Sequence, residues 1–430
     1  MADTMIFGGE SFNMRIGFSK SDITPPLGTE LGGYAGYRPC SGVHDLLWCK
    51  AAVLEQDGTL YALLALDLLC ADEGLYLKIA EKVSFLGIVR EKLIVSAIHS
   101  HAAPVGVLPG EGPLAAVNRS IEPENPAFLD YMQAVVEAAV SACAAAAANL
   151  DYFVVRTARG PLPQVGTERH TGEIPKGELT ALQFRTERGK NLIFYNFPCH
   201  PTVLSAENLQ VSADFVGSME PLLDADMAMF VNGAAGDIST RFTRREATFA
   251  ECRRMGSMAA EQIKALLEAA PFRVPEPIRG IHTRITLQVR QVEPLEKAQK
   301  RLEELTAQWK AAETAGAAAR EIRILKSYAE GAGVSLQFSQ TMGGIRKLEL
   351  PVTVFRFAGL RFVSVPGELF SVLRPPQTVI LGYANGYYRY IAHRGAYDAG
   401  YYEAMAAIVE KGSGERLKEE IERLLAQLDY

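Results

Sequence analysis

Four apolar, β-branched runs in this chain each break off in a cluster of polar residues. They are 93–98 before His99-Ser100-His101, 192–197 before Pro198-Cys199-His200-Pro201, 227–231 before the stretch from Asn232 to Ser239, and 360–365 before Pro366-Gly367-Glu368. Short apolar runs punctuated by Gly or Pro read as buried strands. In an open α/β sheet, ligands bind outside the carboxyl ends of the strands, so four such ends can line one pocket from distant stretches of sequence. The pattern predicts an enzyme.

Around these runs the text alternates strand and helix. The segment 59–66 reads as a strand buried on both faces, 74–87 as a helix and 93–98 as the next strand, the order a parallel βαβ unit requires. A Gly- and Pro-rich stretch at 106–126 has the length of a lid or substrate wall, and an Ala-rich helix follows to about Ala148. From Leu295 to Gly331 the sequence turns Glu/Lys/Ala-rich, with Leu295, Ala298, Leu302, Leu305 and Trp309 at helical spacing. The expected fold is α/β: a single large domain over 1–430 with a mixed β-sheet, flanking helices and a helical excursion at 295–331.

Charge and composition narrow the partners. A net charge of -6 over 430 residues, with no Lys/Arg-rich stretch interleaved with aromatics, argues against nucleic acid. No uninterrupted apolar run reaches the length of a membrane span, so no transmembrane segment is expected. The first 20 residues lack the basic and apolar regions of a secretory signal. The cysteines at 40, 49, 70, 143, 199 and 252 are scattered, as reduced, buried thiols of a cytoplasmic protein would be. A homo-oligomer is left open.

The polar clusters carry recognisable chemistry. Alternate residues of an extended segment share a face, so His99 and His101 point into one cavity while Ser100 points away. Two imidazoles there suit a divalent metal, and His200, in a Pro-flanked turn after another strand, adds to them. Two histidines and Glu368 would give zinc three protein ligands and leave a position open for water. The competing role of Glu368 is a carboxylate at a helix N-terminus, favoured by the macrodipole. Asp237 and Ser239 sit where small residues let a ligand approach closely, and read as substrate-orienting groups. Ser239 lacks the G-x-S-x-G elbow of a serine hydrolase, Cys199 has no nucleophile pattern, and no P-loop or G-x-G-x-x-G follows a strand. The dense tyrosines of 383–402 read chiefly as a packing layer.

Taken in order, IGFSKSDITPP, SAIHSHAAP, VNRSIEPENP, FPCHPTVL, NGAAGDIS, VPGELF and ANGYYRYIAHRGAYDAGYYE resemble the catalytic domain of the neutral, non-lysosomal ceramidase family, and they span nearly the whole chain. Members of that family are zinc amidases that split an N-acyl bond. The resemblance implies one Zn2+ per chain held by His99, His200, Glu368 and Tyr390. It implies that His101 works beside the metal as a proton shuttle, that Tyr402 helps hold the oxyanion, and that Arg119 and Ser239 contact the substrate. The chain departs from the family pattern in reading HSHAAP for HTHSGPGG, and in following GDIS with Thr240-Arg241 instead of Pro-Asn. Those changes fall at the pocket wall, so the expected substrate is a smaller or more polar N-acyl or cyclic amide than ceramide. Two competing readings keep the scaffold: a zinc-dependent esterase, lactonase or phosphoesterase, and a non-catalytic metal or small-ligand binding protein.

Overall fold

The computed structural model describes residues 14–108, 125–175, 177–342 and 344–428. Its larger sheet has eight strands: β1 (Met14–Asp22), β2 (Trp48–Gln56), β3 (Thr59–Leu66), β4 (Leu93–Ala97), β5 (Asp151–Gly160), β6 (Leu179–Thr186), β7 (Asn191–Phe197) and β8 (Met227–Asn232). They lie in the order β8-β7-β6-β5-β1-β2-β3-β4. A smaller sheet has β9 (Arg279–Gln288), β10 (Lys347–Phe357), β11 (Leu360–Ser364) and β12 (Thr378–Leu381) in sequence order.

Alternation of side chains along each strand builds four layers from these parts. One face of the larger sheet packs on the helices 73–83, 126–148 and 249–268 through residues such as Leu64, Val95, Met132 and Ile263. Its other face meets the smaller sheet, where Phe153, Phe184, Phe194 and Met229 pack with Phe357, Phe362, Val379 and Leu381. The far side of the smaller sheet buries Leu287, Leu350 and Val352 against Leu417, Ile421 and Leu424 of the last helix, Ser413–Gln427. Fully burying one such side chain contributes about 1.5–3 kcal/mol, so the three apolar interfaces hold the layers in register.

The helix Pro126–Ala148 starts where Asn125 caps it and Pro126 supplies a fixed φ. By length and composition it is apolar enough to cross a membrane. Here that apolar surface is used inside the fold, and Gly17 of β1 lets the helix approach so closely that a Cβ there would meet the carbonyl of Ala146.

The sheet is mixed, and its pairing explains how distant strand ends reach one place. The central pairs are antiparallel, whereas β3–β4 at one edge and β7–β8 at the other are parallel. The parallel β3–helix–β4 unit is the one the sequence predicts. An open sheet would leave β4 and β8 as exposed edges, yet both are buried along their whole length. The segment 382–385, just after β12, ties them together. The Gly382 amide donates to the Asn232 carbonyl (2.8 Å), and the Asn385 side chain accepts from Val95 N (2.7 Å) and donates to Leu93 O (3.1 Å). Asn232 at the end of β8 donates its side-chain amide to Ile98 O beyond β4, 3.1 Å away. Edge covering of this kind satisfies the backbone and brings the chain after β4, β7, β8 and β11 to one point.

The excursion differs from its predicted end. It is a hairpin of two helices, Leu295–Thr314 and Ala319–Thr341, running past Gly331 by ten residues. Gly331 is a contact and not a stop: a Cβ there would crowd Met405 and Tyr402, so its absence lets the second helix lie against Tyr402–Met405. Phe338 and Met342 then bury in the C-terminal core, which continues the helix beyond the glycine.

Candidate metal centre

His99, His101 and His200 come together with ligand nitrogens within 4.8 Å of one another. His99 follows β4 in the left-handed region, φ 71°, an uncommon conformation for a residue with a Cβ. Tyr383 (φ 53°) and Asn385 (φ 61°), in the segment that covers the sheet edges, share it. Strained backbone of this sort persists where the surroundings over-determine it, which points to function. Ser100 turns away as alternation requires, donating to Ser212 O at 2.8 Å, while the Nε2 atoms of His99 and His101 lie 3.4 Å apart.

The hydrogen bonds fix which ring nitrogens carry protons. His99 Nδ1 is 2.7 Å from Leu69 O and His200 Nδ1 is 2.9 Å from Ile238 O; a carbonyl only accepts, so each Nδ1 donates. Both neutral rings therefore present an unprotonated Nε2 to one carboxylate oxygen. Glu368 Oε2 lies 3.0 Å from His200 Nε2 and 3.5 Å from His99 Nε2. Burial holds His99 down at about 3 and lowers His200 as well, so neither ring is cationic at neutral pH. Burial would raise the Glu368 carboxyl, whereas a proton taken up by His99 or His200 and the Tyr387 hydroxyl (2.6 Å from Oε1) pull it down, to about 2. Three acceptors meet with no proton among them, in a site nearly closed to water. That donor set repels itself unless a cation occupies its centre, so the residues fit a divalent metal. Backbone carbonyls on the outer nitrogens are the usual support of histidine ligands.

Glu368 does not start a helix. It lies in a two-residue strand, Glu368–Leu369, paired in parallel with Tyr390–Ile391, so Glu368 and Tyr390 stand directly opposite. That register replaces the helix-terminus reading of Glu368. Gly236 makes it accessible, since a Cβ there would meet the Glu368 carbonyl. The Tyr390 hydroxyl accepts from Arg169 Nη1 at 3.2 Å, and its ring meets Tyr402 edge-on at 5.7 Å. Burial and the Glu368 charge push the Tyr390 hydroxyl well up, with Arg169 opposing; the same two causes bring Tyr402 to about 12.

Residues 14–271, more than half of the chain, match the model for the N-terminal part of neutral/alkaline non-lysosomal ceramidases. The chain belongs to this family. It is thereby a hydrolase of the ceramidase kind. Neutral ceramidase from Pseudomonas aeruginosa superposes with a TM-score of 0.73 at 18% identity, over 97% of this chain and 75% of that one. A ceramidase complexed with C2 does so with a TM-score of 0.70 at 17% identity, over 97% and 76%. At such identities the likeness is one of fold. No curated protein sequence matches the chain.

Within this ceramidase fold, the structure draws together His99, His101, His200, Glu368, Tyr390 and Tyr402. Ser239 is adjacent, bridged to His200 in parallel, and its Oγ caps Arg241 N. Asp237 is engaged elsewhere: its two oxygens accept from Ser371 N (2.7 Å) and Ser371 Oγ (2.8 Å), which fixes the turn after Glu368. Cys199 is fully buried and its thiol is pushed up, the condition of an inert thiol. Arg119 lies outside the described residues.

Sequence reasoning missed Arg169 and its partners. Arg169 Nη1 bridges Tyr390 and Glu403 Oε1 (3.1 Å), while His170 Nε2 meets Glu403 Oε2 (3.0 Å) and stacks on Tyr401. Arg169 is placed by the antiparallel pairing of Thr167–Glu168 with Ile238–Ser239 and by its amide on Asp237 O. The only local signal was an Arg-His pair ahead of a Thr-Gly turn, which nothing in its neighbourhood links to the tyrosine block.

Proposed function

We propose that this chain is a zinc-dependent amidase hydrolysing an N-acyl amide smaller or more polar than ceramide. The observation that carries the reading is the unprotonated trio of His99 Nε2, His200 Nε2 and Glu368 Oε2. These three would hold the metal, with Tyr390 as a fourth ligand. A bound cation lowers the pKa of a phenol, and Arg169 already sits on the same oxygen. When bound, zinc supplies Lewis acidity toward water and the amide carbonyl.

The remaining steps belong to side chains of this chain. His101 is neutral at working pH because burial, with Arg169 and Arg38 acting in the same direction, holds it well below its ordinary value. Its buried Nδ1 has no partner, so the ring is free to take a proton at one nitrogen and deliver it to the leaving amine. Tyr402, protonated with its phenol at about 12, donates to the developing oxyanion. Ser239, beside His200, and Arg119 would orient the polar part of the substrate. Six free, buried cysteines suit the reducing cytoplasm, where we place the enzyme.

The test is a panel of N-acyl amides, matched esters, lactones and phosphomonoesters offered to zinc-loaded protein. Cleavage of amides at rates exceeding the matched phosphomonoesters supports the reading. Turnover of esters, lactones or phosphoesters alone changes the reaction, and bound zinc without turnover of any class makes the chain a binding protein.

A further inference from the structure

Arg241 stands where the chain departs from the family pattern, two residues beyond Ser239 and the bridge to His200. It is half-buried, and its Nη1 reaches, at 3.4 Å, the carbonyl of Arg169, the residue whose own Nη1 donates to the Tyr390 hydroxyl. Four other guanidiniums nearby are each tied to a carboxylate or to two or more carbonyls. Arg169 is matched by Glu403 and Arg323 by Glu330, each at 3.1 Å. Arg244 donates to the carbonyls of Thr202 and Val203, and Arg38 to those of Gly32, His101, Ala206 and Asn208. Arg241 has no carboxylate within 4 Å among the described residues, and its single bond leaves most of its five donors open. Arg169, itself 7% exposed, has an open donor of its own, since its Nε is buried without a partner.

A partly buried guanidinium without a paired anion is costly, the more so beside a second one. The charges of Arg169 and Arg323 both act on Arg241, and Arg323 also acts on Tyr34, which packs against His101 on the other side of the centre. Of these three guanidiniums, Arg169 and Arg323 have a carboxylate partner and Arg241 has none among the described residues. Such a fork is built for a planar anion, because guanidinium and carboxylate match in two parallel hydrogen bonds.

We propose that Arg241 binds a carboxylate carried by the amide substrate close to the scissile bond, so that the preferred substrate class is an N-acyl amino acid. This rests on the amidase reading and deepens it. Arg241 is the specificity residue, and Arg169 Nε completes the anion's contacts.

The experiment uses zinc-loaded full-length protein and two probes, N-octanoylglycine and neutral N-octanoylethanolamine. Each is also made as a non-cleavable ketone in which CH2 replaces the amide NH. Calorimetry on the ketones reads the anion preference without turnover, and product formation from the amides reads catalysis. We expect the anionic ketone to bind about tenfold or more tightly than the neutral one. That ratio should collapse toward one in Arg241→Met and be partly kept in Arg241→Lys, with melting temperatures matching wild type. Equal binding of the two ketones by wild type overturns the proposal, as does a ratio that survives in a folded Arg241→Met. Failure to cleave either amide while the binding ratio holds falsifies the amidase reading and leaves anion recognition standing.

Discussion

At the centre, His99 and His200 are oriented by backbone carbonyls, those of Leu69 and Ile238; in the wall beside it, Arg169 and His170 are oriented by one carboxylate, Glu403. The two regions touch through Tyr390, which faces Glu368 across a parallel pair and accepts from Arg169. A backbone-fixed ligand keeps its place as long as the strand ends do, so the centre inherits the rigidity of two sheets. The wall depends on side-chain ion pairs buried together, each useless without its partner. The geometry of the His99–His200–Glu368 cluster is thus a property of the fold, while the wall beside it rests on a few exchangeable charges.

The first way to break that comparison is to remove a carboxylate from the centre. Glu368→Gln keeps the shape but gives the imidazoles an amide where they need an anion, so activity should fall below detection and bound metal should be lost on dialysis. Retained metal and rate would show that Glu368 is not part of the centre. Next comes Tyr402→Phe, which should stay folded yet lose about 100- to 1,000-fold in kcat, the usual cost of one oxyanion donor. A loss confined to KM would move Tyr402 from the chemistry to the wall.

The wall itself is tested by stability. Arg169→Met leaves Glu403, 1% exposed, without its guanidinium, and should destabilise the chain by about 3–5 kcal/mol. Adding Glu403→Gln should recover much of that in urea unfolding, since the stranded charge is gone. No recovery would mean that packing, and not the ion pair, holds the wall.

The smallest effect is the pH dependence of the metal-free protein. His99 stays neutral in the folded chain down to about 3, whereas an exposed histidine takes a proton near 6.5. The unfolded chain therefore binds more protons between those values, and stability should decline as pH falls from about 6.5 to about 3. Glu403 is held at about 2 against an ordinary 4.5, so its contribution, full above 4.5, should disappear as pH falls toward 2. Melting curves of wild type against His99→Asn should differ across the upper window, and Glu403→Gln should differ across the lower one.

The clustering of His99, His200 and Glu368 was legible because each ends an apolar run, a local pattern that turn chemistry explains without knowing the fold. His99, His200 and Glu368 each announce themselves beside a strand. The wall was not legible, because its bonds join residues 233 and 234 positions apart and neither partner sits in a distinctive run. The same holds for the sheet: its strands were readable, but the closure of β4 toward β8 depends on Asn385 and Asn232, whose side chains replace backbone partners. Asp237 shows what the sequence pattern leaves out. A conspicuous acid after a glycine invites a substrate role, and the structure shows both its oxygens occupied by Ser371.

On the proposed reading, the self-repelling set of His99, His200 and Glu368 holds a metal. Metal content by plasma mass spectrometry on untagged protein, dialysed against chelator, reloaded with zinc and freed of excess, tests it most directly, with His200→Ala alongside. The account predicts about one zinc per chain in wild type and none retained in a variant that still melts cooperatively. Folded wild-type protein that takes up no zinc, or His200→Ala that binds as much as wild type, would contradict it.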